Sequence, residues 1–404
     1  MHARRIRSII TGGKNARVWL SRRLFLRCPV ASRDTRAERN GFVRNACTME
    51  RRNTRAVMAG TVTIGGAAPI SVQSMTKTHT EDVAATIAQV HELAELGCEI
   101  ARCAVANVRA ARVLSQIKRG SPIPLIADIH FDHKLALRAI DAGVDGVRVN
   151  PGTIHSESGL REVFRSAAAA GIKVRVGMNS GSVRPREGLR VKRDASEADL
   201  AALMVDKALA CCELAEAEGC RNLVLSFKAS DVPTTVRAYR LAAPRCDYPF
   251  HVGVTAAGPA EIALLKNAIG IGVLLAEGIG DTIRVSMTGP PHDEVSAALR
   301  ILEALELRSP AGPVIISCPT CGRCMVDLVS VVEEVQQRLK GCDKKIKVAI
   351  MGCVVNGPGE AAEADVGVAG GKEFGYIFRK GVRCGKVPAS QIADALMAEI
   401  EKLD

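Results

Sequence analysis

Three cysteines lie within seven positions of the stretch ISCPTCGRCMVDL, at Cys318, Cys321 and Cys324. Cys318 and Cys321 form a C-x2-C pair, a spacing that lets two thiolates reach one metal centre from a tight turn. A fourth cysteine, Cys353, follows in GCVVNGPGE, and Glu360 ends that stretch behind a glycine–proline turn. The arrangement predicts a metal centre. On arrangement alone, a closed zinc site of four cysteines and an iron–sulfur cluster are equally compatible with it.

A second set of polar residues stands near the ends of short β-branched runs earlier in the chain. In chain order they are Arg102, Asp128, His130, Arg148, Asn150, Asn179, Lys228, Arg284 and Ser286. Guanidinium groups bind phosphate oxygens in pairs, and lysine adds a point charge. Four cations from four strands therefore predict a ligand with several negative charges. A lone arginine is more often paired with a nearby carboxylate, so the prediction depends on convergence of these residues.

Eight β-branched runs alternate with Ala- and Leu-rich helical segments from about residue 57 onward. The runs are PISVQSM, EIARCAV, PLIADIH, GVRVNPG, VRVGMNS, NLVLSFKAS, FHVGVTAAG and DTIRVSMTG. This alternation is typical of an α/β protein with a (β/α)8 TIM-type barrel, in which the carboxyl ends of the strands form the active face. A doubly wound open sheet is the alternative, although no GxGxxG follows the first run.

Two segments interrupt the regular spacing of these runs. The fifth and sixth runs are separated by an extra segment, GLRVKRDASEADL, which precedes a predicted long helix. Beside the last run lies the glycine-rich GIGD, residues 278–281. Barrels often expose backbone amides to phosphate near the last strands, so we expect GIGD to contribute to anion binding.

Composition divides the chain into segments. RSPAGP, residues 308–313, predicts a linker between a barrel at residues 51–307 and a small α+β domain at residues 314–404 that holds the cysteine motif. Residues 1–50 contain 12 Lys or Arg and 3 Asp or Glu, which accounts for most of the formal net charge of +12. We interpret this segment as a disordered or targeting-like extension, or as an upstream start with Met49 as the natural beginning.

Charge and cysteine usage limit the function classes. Most of the basic excess is N-terminal, so the body of the chain is not the uniformly basic surface that nucleic-acid binding favours. No apolar run approaches the roughly 18 residues that cross a bilayer. Fourteen cysteines without a secretory signal favour a reducing compartment.

Seven stretches in a fixed order carry a resemblance to a known family: ISVQSMTKTHTEDV, ADIHFD, RVNPG, SFKASD, GIGDTIRVS, SCPTC and GCVVNGPGEA. From about residue 52 onward the chain resembles the 4-hydroxy-3-methylbut-2-enyl diphosphate synthases, the iron–sulfur reductases of the non-mevalonate isoprenoid pathway, in their bacterial two-domain form. The resemblance implies reductive ring opening and dehydroxylation of 2-C-methyl-D-erythritol 2,4-cyclodiphosphate, with electrons from a flavodoxin or ferredoxin. It implies a [4Fe-4S] cluster whose ligands are Cys318, Cys321, Cys353 and Glu360.

The resemblance also gives roles to the barrel residues. The predicted anion-binding residues and their hydrogen-bonding neighbours are Arg102, Arg148, Lys228, Arg284, Asn150 and Ser286. Asp128 and His130 are predicted to act as polar or proton-transfer groups. A carboxylate is a harder ligand than a thiolate and is more easily displaced from iron, so Glu360 is predicted to mark the iron that can open to substrate.

Further expectations concern assembly and location. The family implies a homodimer in which the cluster domain of one subunit caps the barrel of its partner. We expect a bacterial cytoplasmic enzyme without a nucleic-acid or membrane partner, and the basic N-terminal segment leaves organellar import as an alternative.

The chain departs from the family pattern in four places. Ala256 stands in TAAG where the family has TEAG, Thr153 replaces a usual Asn, His155 replaces a usual Gly, and Cys324 is additional. We expect Cys324 to start the following helix and to point away from the cluster.

Two other function classes remain as alternatives. One is a zinc-ribbon module that binds nucleic acid and is attached to a barrel. The other is a radical enzyme that uses S-adenosylmethionine, which would require C-x3-C-x2-C near the first strand.

Overall fold

The structure is a computed structural model that describes residues 50–154, 156–183, 186–187, 190–191 and 197–403. The predicted N-terminal extension up to residue 49, the alternative start at Met49 and the departure at His155 lie outside the described residues. In the described part of the chain, no helix combines the length and the apolar character needed to span a membrane.

The described residues between 57 and 283 contain twelve strands. In chain order they are β1 (Val57–Ala59), β2 (Val62–Ile64), β3 (Ser71–Met75), β4 (Ile100–Val105), β5 (Leu125–Ile129), β6 (Gly146–Val149), β7 (Lys173–Asn179), β8 (Arg186–Glu187), β9 (Arg190–Val191), β10 (Leu223–Lys228), β11 (His251–Val252) and β12 (Thr282–Ile283). Eight of them form one parallel sheet in the order β10-β7-β6-β5-β4-β3-β12-β11. A parallel bridge between Leu225 and Phe250 joins the two end strands. The sheet therefore closes on itself, which confirms the predicted barrel and makes the open-sheet alternative wrong.

Helices connect the strands. They are α1 (Val83–Glu95), α2 (Val108–Gly120), α3 (His133–Asp141), α4 (Glu157–Ala170), α5 (Ser180–Val183), α6 (Glu197–Ala217), α7 (Val232–Ala242), α8 (Ala260–Ala276) and α9 (Pro291–Ala304), with a 3-10 turn at Ala243–Arg245. Several begin at a polar residue whose side chain accepts a hydrogen bond from the first helical turn, as Asp82, Asn107 and Asp231 do. Such caps satisfy otherwise unpaired backbone N–H groups where the chain leaves a strand. The helix predicted after the extra segment is the long α6.

An apolar floor closes the amino-terminal end of the barrel. The antiparallel hairpin β1–β2 covers this end. Its side chains form one buried cluster with residues from the starts of β4, β5 and β10, namely Val57, Ala59, Ile64, Ile100, Ile126 and Val224. Polar ligands therefore have access to the lumen from the carboxyl ends of the strands.

The glycine-rich GIGD segment lies at this closed end because it precedes β12. Its buried Asp281 accepts hydrogen bonds from Arg51 Nη2 at 3.0 Å, Thr54 Oγ1 at 3.0 Å and the backbone N–H of Phe250 at 2.7 Å. The expectation that GIGD amides face a phosphate is wrong, since the ligand-facing loops of a parallel barrel follow the strands. GIGD instead holds Arg51 and Thr54, which precede β1, against the barrel.

The C-terminal residues form a mixed sheet with helices on both faces. The strands are β13 (Val314–Ser317), β14 (Lys347–Met351), β15 (Val366–Gly371), β16 (Phe374–Arg379) and β17 (Val382–Pro388), paired in that order. The first three are parallel, and β16 and β17 are antiparallel to their neighbours. The helices are α10 (Leu328–Arg338), α11 (Gly357–Glu363) and α12 (Ile392–Glu401), with a 3-10 turn at Ala389–Gln391. This agrees with the α+β prediction.

These strands and helices enclose their own apolar core. Helices α10 and α12 pack on one face of the sheet, and α11 packs on the other. Between α9 and β13, Arg308 donates to Glu99 Oε2 at 2.8 Å and to the carbonyl of Ile70 at 3.2 Å. These bonds fix the start of the predicted linker against the barrel.

Candidate active site

The polar residues of β4, β5 and β10 face the barrel lumen. Ile100, Ile126 and Val224 contact the floor hairpin from inside the barrel. Successive side chains of a strand alternate in direction, so residues two or four positions further on share the inward direction. Those residues include Arg102 and Asp128, and Lys228 on β10.

Asp128 holds two arginines in the lumen. Its Oδ2 lies 3.2 Å from Arg102 Nε, and its Oδ1 accepts from Arg148 Nη1 at 3.1 Å. All three residues are buried. Burial alone would raise the pKa of Asp128, but the charges of Arg102, Arg148 and Arg175 outweigh it and lower the pKa. Asp128 therefore stays ionised, and its contacts favour a positioning role over the predicted proton transfer.

His130 lies beside this group at the mouth. Its Nε2 is 3.2 Å from Arg148 Nη1. Because a guanidinium can only donate, Nε2 is the acceptor and the proton belongs on Nδ1. Burial lowers the pKa of His130, and the nearby arginines lower it further against the opposing effect of Asp128. The ring is therefore neutral near pH 7.

Lys228 is paired with a histidine that the sequence analysis missed. Lys228 Nζ lies 3.1 Å from His251 Nε2, and both residues are buried. Burial and neighbouring cations lower the pKa of both groups well below their usual values. Gly253 leaves the space for this pair, because a Cβ there would lie 2.9 Å from Lys228 Nζ and 2.3 Å from the Arg284 carbonyl oxygen.

Arg284 is held by a buried carboxylate on α9. Glu294 Oε2 accepts from Arg284 Nε at 3.3 Å and from Nη2 at 3.1 Å. Its Oε1 also lies 3.0 Å from Lys77 Nζ, and only 1% of Glu294 is exposed. The Ser286 backbone N–H and carbonyl bond the Asn267 side chain. These contacts fix the loop that carries two of the predicted ligand-binding residues.

Two further basic residues of the lumen lie on β7, before the carboxyl end of the strand that the sequence analysis considered. Lys173 and Arg175 alternate with buried valines and are themselves buried. Burial and then the charge of Arg175 lower the pKa of Lys173 to about 7. Gly177 makes room here, because a Cβ would lie 2.7 Å from Arg148 Nε. The charged–aliphatic alternation of KVRV was the signal that could have identified both residues.

The loops after β6, β7 and β11 complete the mouth. Asn150 Oδ1 accepts from the Gly152 backbone N–H at 3.0 Å and lies 3.3 Å from Ser182 Oγ. Ser182 Oγ donates to the Asn179 carbonyl at 2.7 Å. Asn150 and Asn179 are thus brought together, and both organise their own loops.

The lumen has more buried donors than acceptors. Within the described residues, four of its nitrogen atoms have no hydrogen-bond partner, namely Arg102 Nη1, Arg148 Nε, Arg175 Nε and His251 Nδ1. Each such atom costs about 1–3 kcal/mol when it is left unsatisfied. Among the described residues, the basic side chains of the lumen, four of which are arginines, outnumber the two carboxylates of Asp128 and Glu294. This arrangement is suited to an anion that supplies several acceptor oxygens.

The four predicted cluster ligands line a single cavity in the C-terminal region. The cavity has a volume of about 370 Å³, and its lining includes Cys318, Cys321, Cys353 and Glu360. Cys318 follows β13, Cys353 follows β14, and Glu360 lies in the first turn of α11. The carboxyl ends of two parallel strands thus bring sequence-distant ligands together.

Local donors favour the thiolate forms that bind metal. The backbone N–H and the guanidinium of Arg323 lower the pKa of Cys321. The backbone N–H groups of Val355 and Asn356 lower the pKa of Cys353, and the charge of Arg323 adds to this. The Gly352 N–H lies 3.2 Å from Cys318 Sγ. A thiolate is the ligand form of cysteine, so the cavity is prepared for a metal centre.

Two family models match this chain. The GcpE TIM-barrel domain covers residues 54–299, and the GcpE protein C-terminal domain covers residues 314–402. The chain belongs to the GcpE family.

Three similar relatives share one name, 4-hydroxy-3-methylbut-2-en-1-yl diphosphate synthase (flavodoxin). The protein of Geobacter sulfurreducens is 51% identical over 350 residues, which cover 87% of this chain and 98% of that protein. Relatives from Dehalococcoides mccartyi and Clostridium perfringens are 48% and 45% identical, over 87% and 88% of this chain and 99% and 100% of their own lengths. The predicted family and the predicted oxidoreductase class are confirmed. The zinc-ribbon alternative has no support from these relatives.

The departures from the GcpE pattern can now be placed. Ala256 is exposed in the loop after β11 at a φ of 48°, so this loop presents no carboxylate there. Thr153 donates its N–H and its hydroxyl to the Asn150 carbonyl at 2.9 and 3.1 Å. Thr153 therefore supports the loop that holds Asn150.

The expectation that Cys324 starts a helix is wrong. Helix α10 begins at Leu328, after the cap Asp327. Cys324 instead closes a turn, with its N–H bonded to the Cys321 carbonyl at 2.8 Å and its Sγ donating to the Val326 carbonyl at 3.3 Å. It is not among the residues that line the cavity.

Proposed function

We propose that this chain reduces 2-C-methyl-D-erythritol 2,4-cyclodiphosphate to 4-hydroxy-3-methylbut-2-enyl diphosphate. The supporting observation is that the chain contains two groups of residues, one suited to binding the diphosphate and one suited to supplying electrons. The first is the barrel lumen, which has an excess of buried basic side chains and buried donors without a hydrogen-bond partner. The other is a cavity lined by three cysteines and a glutamate, which suits a redox-active cluster.

The balance of the reaction explains why the lumen should be cationic. The cyclic diphosphate dianion takes up two electrons and one proton and gives the product trianion and water. One carbon–oxygen bond of the ring breaks and leaves an open diphosphate, and the hydroxyl of the neighbouring carbon leaves as water. Negative charge on the diphosphate rises during this change. Preorganised cations therefore stabilise the transition state more than the substrate.

We assign diphosphate binding to Arg102, Arg148, Lys228 and Arg284, with Asn150 and Ser286 as neighbours at the mouth. The partners of these cations hold them in place before the ligand arrives, which lowers the ordering cost of binding. Arg175, which lies next to Arg148 in register, is added to this set.

The contacts of Asp128 and His130, the two candidates for proton transfer, differ. Asp128 is held ionised between two arginines, so we assign it to positioning. His130 is half-exposed at the mouth and can reach a ligand there. We therefore retain His130 as the candidate proton-transfer residue.

The donor set of the C-terminal cavity fits a [4Fe-4S] cluster, which would supply one-electron transfers when bound. We assign its ligands to Cys318, Cys321, Cys353 and Glu360. The cavity is roughly ten times the ~30 Å³ that one water molecule occupies, so it has room for a group larger than one ion.

Glu360 has a distinct role within this set. Carboxylate oxygen is harder than thiolate sulfur, so it is the ligand most easily displaced from iron. Its position in the first turn of α11 also places its charge near the positive end of the helix. We therefore propose Glu360 as a catalytic residue as well as a ligand.

The proposed organisation has a barrel at residues 51–307, a linker at 308–313 and a cluster domain at 314–404. The separate apolar cores of the two parts support these boundaries. We propose a homodimer, supported by a stripe of exposed apolar residues on α8 at Ile262, Leu265 and Ile269. Sedimentation of the purified chain tests this assembly.

We propose a cytoplasmic location in a bacterium. The curated relatives compared above are bacterial, and they give no support to organellar import.

An anaerobic assay tests the proposed function. The purified chain, with iron and acid-labile sulfide quantified, is mixed with the cyclic diphosphate and reduced flavodoxin. We expect formation of the open allylic diphosphate, detected by phosphorus NMR and mass spectrometry. A colourless protein that contains zinc, or an iron-loaded protein that forms no product, would overturn the proposal.

A further inference from the structure

The C-terminal region has an uneven distribution of charge. Residues 314–404 contain 12 Lys or Arg and 12 Asp or Glu, so the region as a whole is neutral. Residues 372–386, which form most of β16 and β17, contain five of those cations and a single acid, Glu373. The remainder of the region is therefore acidic, and the β16–β17 hairpin is a concentrated basic surface.

Two of these cations are fixed on aromatic rings. The Arg383 guanidinium lies 3.7 Å from the centroid of the Tyr376 ring, and Lys386 Nζ lies 3.9 Å from that of Phe374. Both cations are exposed, and in the described part of the chain no ion pair involves either of them. Cation–π contacts of this kind hold a cation in place while its charge remains available to a partner. We call Phe374, Tyr376, Arg383 and Lys386 the basic hairpin face.

A third cation of the hairpin is excluded from this face. Arg379 Nη1 lies 2.8 Å from Glu399 Oε2, so its charge is already compensated. Lys372 and Lys380 lie at the ends of β16 and are exposed. They extend the positive potential along the hairpin.

The register of the sheet connects the basic hairpin face to the cysteine cavity. Met351, which lines the cavity, pairs with Ala369, Ala369 pairs with Tyr376, and Tyr376 pairs with Lys386. Lys386 is thus level with the cavity and three strands away, about 14 Å at roughly 4.8 Å per strand. Tyr376 also packs against a small apolar cluster that includes Ala361 of α11, the helix that carries Glu360. The face and the cavity therefore share one side of the sheet.

We propose that the basic hairpin face is the docking surface for an acidic electron-donor protein of the flavodoxin type. This inference rests on the proposed function, in which electrons must reach the cysteine cavity from outside. Electron-transfer complexes are small and are guided by complementary charge, and fixed aromatic residues supply a desolvated centre. The flavin mononucleotide of such a donor also carries a phosphate, so its redox end is anionic.

A second copy of this chain fits the same face less well. Residues 51–404 contain 43 Lys or Arg and 40 Asp or Glu, a small positive excess. A partner with this composition offers no net attraction to a basic surface, whereas an acidic donor does.

The test compares two charge-reversal variants of the full-length holoenzyme. The first is Arg383→Glu with Lys386→Glu. The matched control is Lys340→Glu with Lys345→Glu, which reverses two exposed cations of the same region outside the hairpin. Flavodoxin affinity is measured by calorimetry, and turnover is measured with flavodoxin and with reduced methyl viologen, a small reductant that needs no docking surface.

For the hairpin variant we expect Kd and KM for flavodoxin to rise about tenfold or more at low salt. The difference should shrink at about 1 M salt, where charges are screened beyond roughly 3 Å. Viologen-driven turnover should stay at the wild-type rate, and the control variant should change flavodoxin affinity less than twofold. Unchanged flavodoxin affinity in the hairpin variant would overturn the proposal.

Two further outcomes separate the alternatives. Dissociation of the hairpin variant into smaller species during sedimentation would assign the face to a second copy and overturn the proposal. Absence of viologen-driven turnover in the wild-type protein would instead contradict the proposed function, and the calorimetric comparison would still decide the docking surface.

Discussion

In the barrel lumen, the charged residues are nearly all buried, and several are fixed by another charged or polar side chain, as Arg148 is by Asp128. In the C-terminal cavity, the predicted ligands lie on two loops and one short helix, and Cys321 and Glu360 are exposed. The lumen therefore has its geometry before any ligand arrives. The ligands of the cavity are instead partly open to solvent.

This difference also concerns stability. Buried charges are costly unless they are paired, and an unpaired one left by mutation costs more than the pair contributes. We therefore expect substitutions in the lumen to affect folding and affinity together. Substitutions of the cysteines in the cavity should remove the cofactor and leave the fold of the barrel intact.

The largest expected effect distinguishes Cys353 from Cys324, two cysteines of the C-terminal region. Cys353→Ser should lose the iron and the visible absorbance, and turnover should fall below detection, because a hydroxyl is a poor replacement for a thiolate ligand of iron. Iron analysis and absorbance spectra measure this. Cys324→Ser is the matched control and should keep about four iron atoms per chain, since Cys324 does not line the cavity. Full iron in the Cys353 variant would remove that residue from the ligand set.

Glu360→Gln should separate cofactor binding from catalysis. The amide keeps the shape of the side chain and loses its charge, so we expect most of the iron to remain and turnover to fall by about a hundredfold or more, as when a group that acts in the transition state is removed. Iron content and the steady-state rate are measured on the same sample. Wild-type turnover in this variant would contradict a catalytic role for Glu360.

Asp128→Asn tests the preformed lumen. It leaves two buried arginines without their anion, which should lower the free energy of unfolding by about 3–5 kcal/mol. Because the folded-state pKa of Asp128 lies below its unfolded value of about 3.9, the stabilisation is complete above that pH and is lost only as the pH falls through the folded value. Denaturant titrations should therefore give the same difference between wild type and variant from pH 8 to pH 5. A difference that disappears by pH 6 would assign the stabilisation to another group.

The smallest effect concerns the link between α9 and the lumen. Arg284→Ala should raise KM for the cyclic diphosphate about ten- to a hundredfold, since a charged hydrogen bond contributes about 1.5–3 kcal/mol. Glu294→Ala should raise KM as well, because it releases Arg284. If Glu294 acts through Arg284, the double variant should match Arg284→Ala alone. Additive effects would show that the two residues act independently.

The sequence predicts the cavity better than the lumen, for a physical reason. The C-x2-C pair and the GCVVNGPGE stretch are local patterns, so their ligand types can be identified without a fold. Their meeting in one cavity then follows from two adjacent parallel strands. Cys324 was misplaced because a turn, rather than a helix, follows the pair.

The lumen residues that were missed depend on tertiary structure. His251 and Arg175 lie inside strands, where the prediction considered only strand ends. Glu294 lies on a helix and reaches Arg284 only because α9 packs beside β3, the neighbour of β12 in the sheet. GIGD was assigned to the wrong end because its composition indicates a turn but not which side of the barrel that turn occupies.

The apolar floor built by β1–β2 has a consequence for turnover. Because the lumen is open only at the carboxyl ends of the strands, the substrate enters and the product leaves by the same path. The substrate therefore cannot bind until the product has left. Release of the more highly charged product from the basic lumen is then the step that must overcome the strongest attraction, and free pyrophosphate should compete with both molecules for entry.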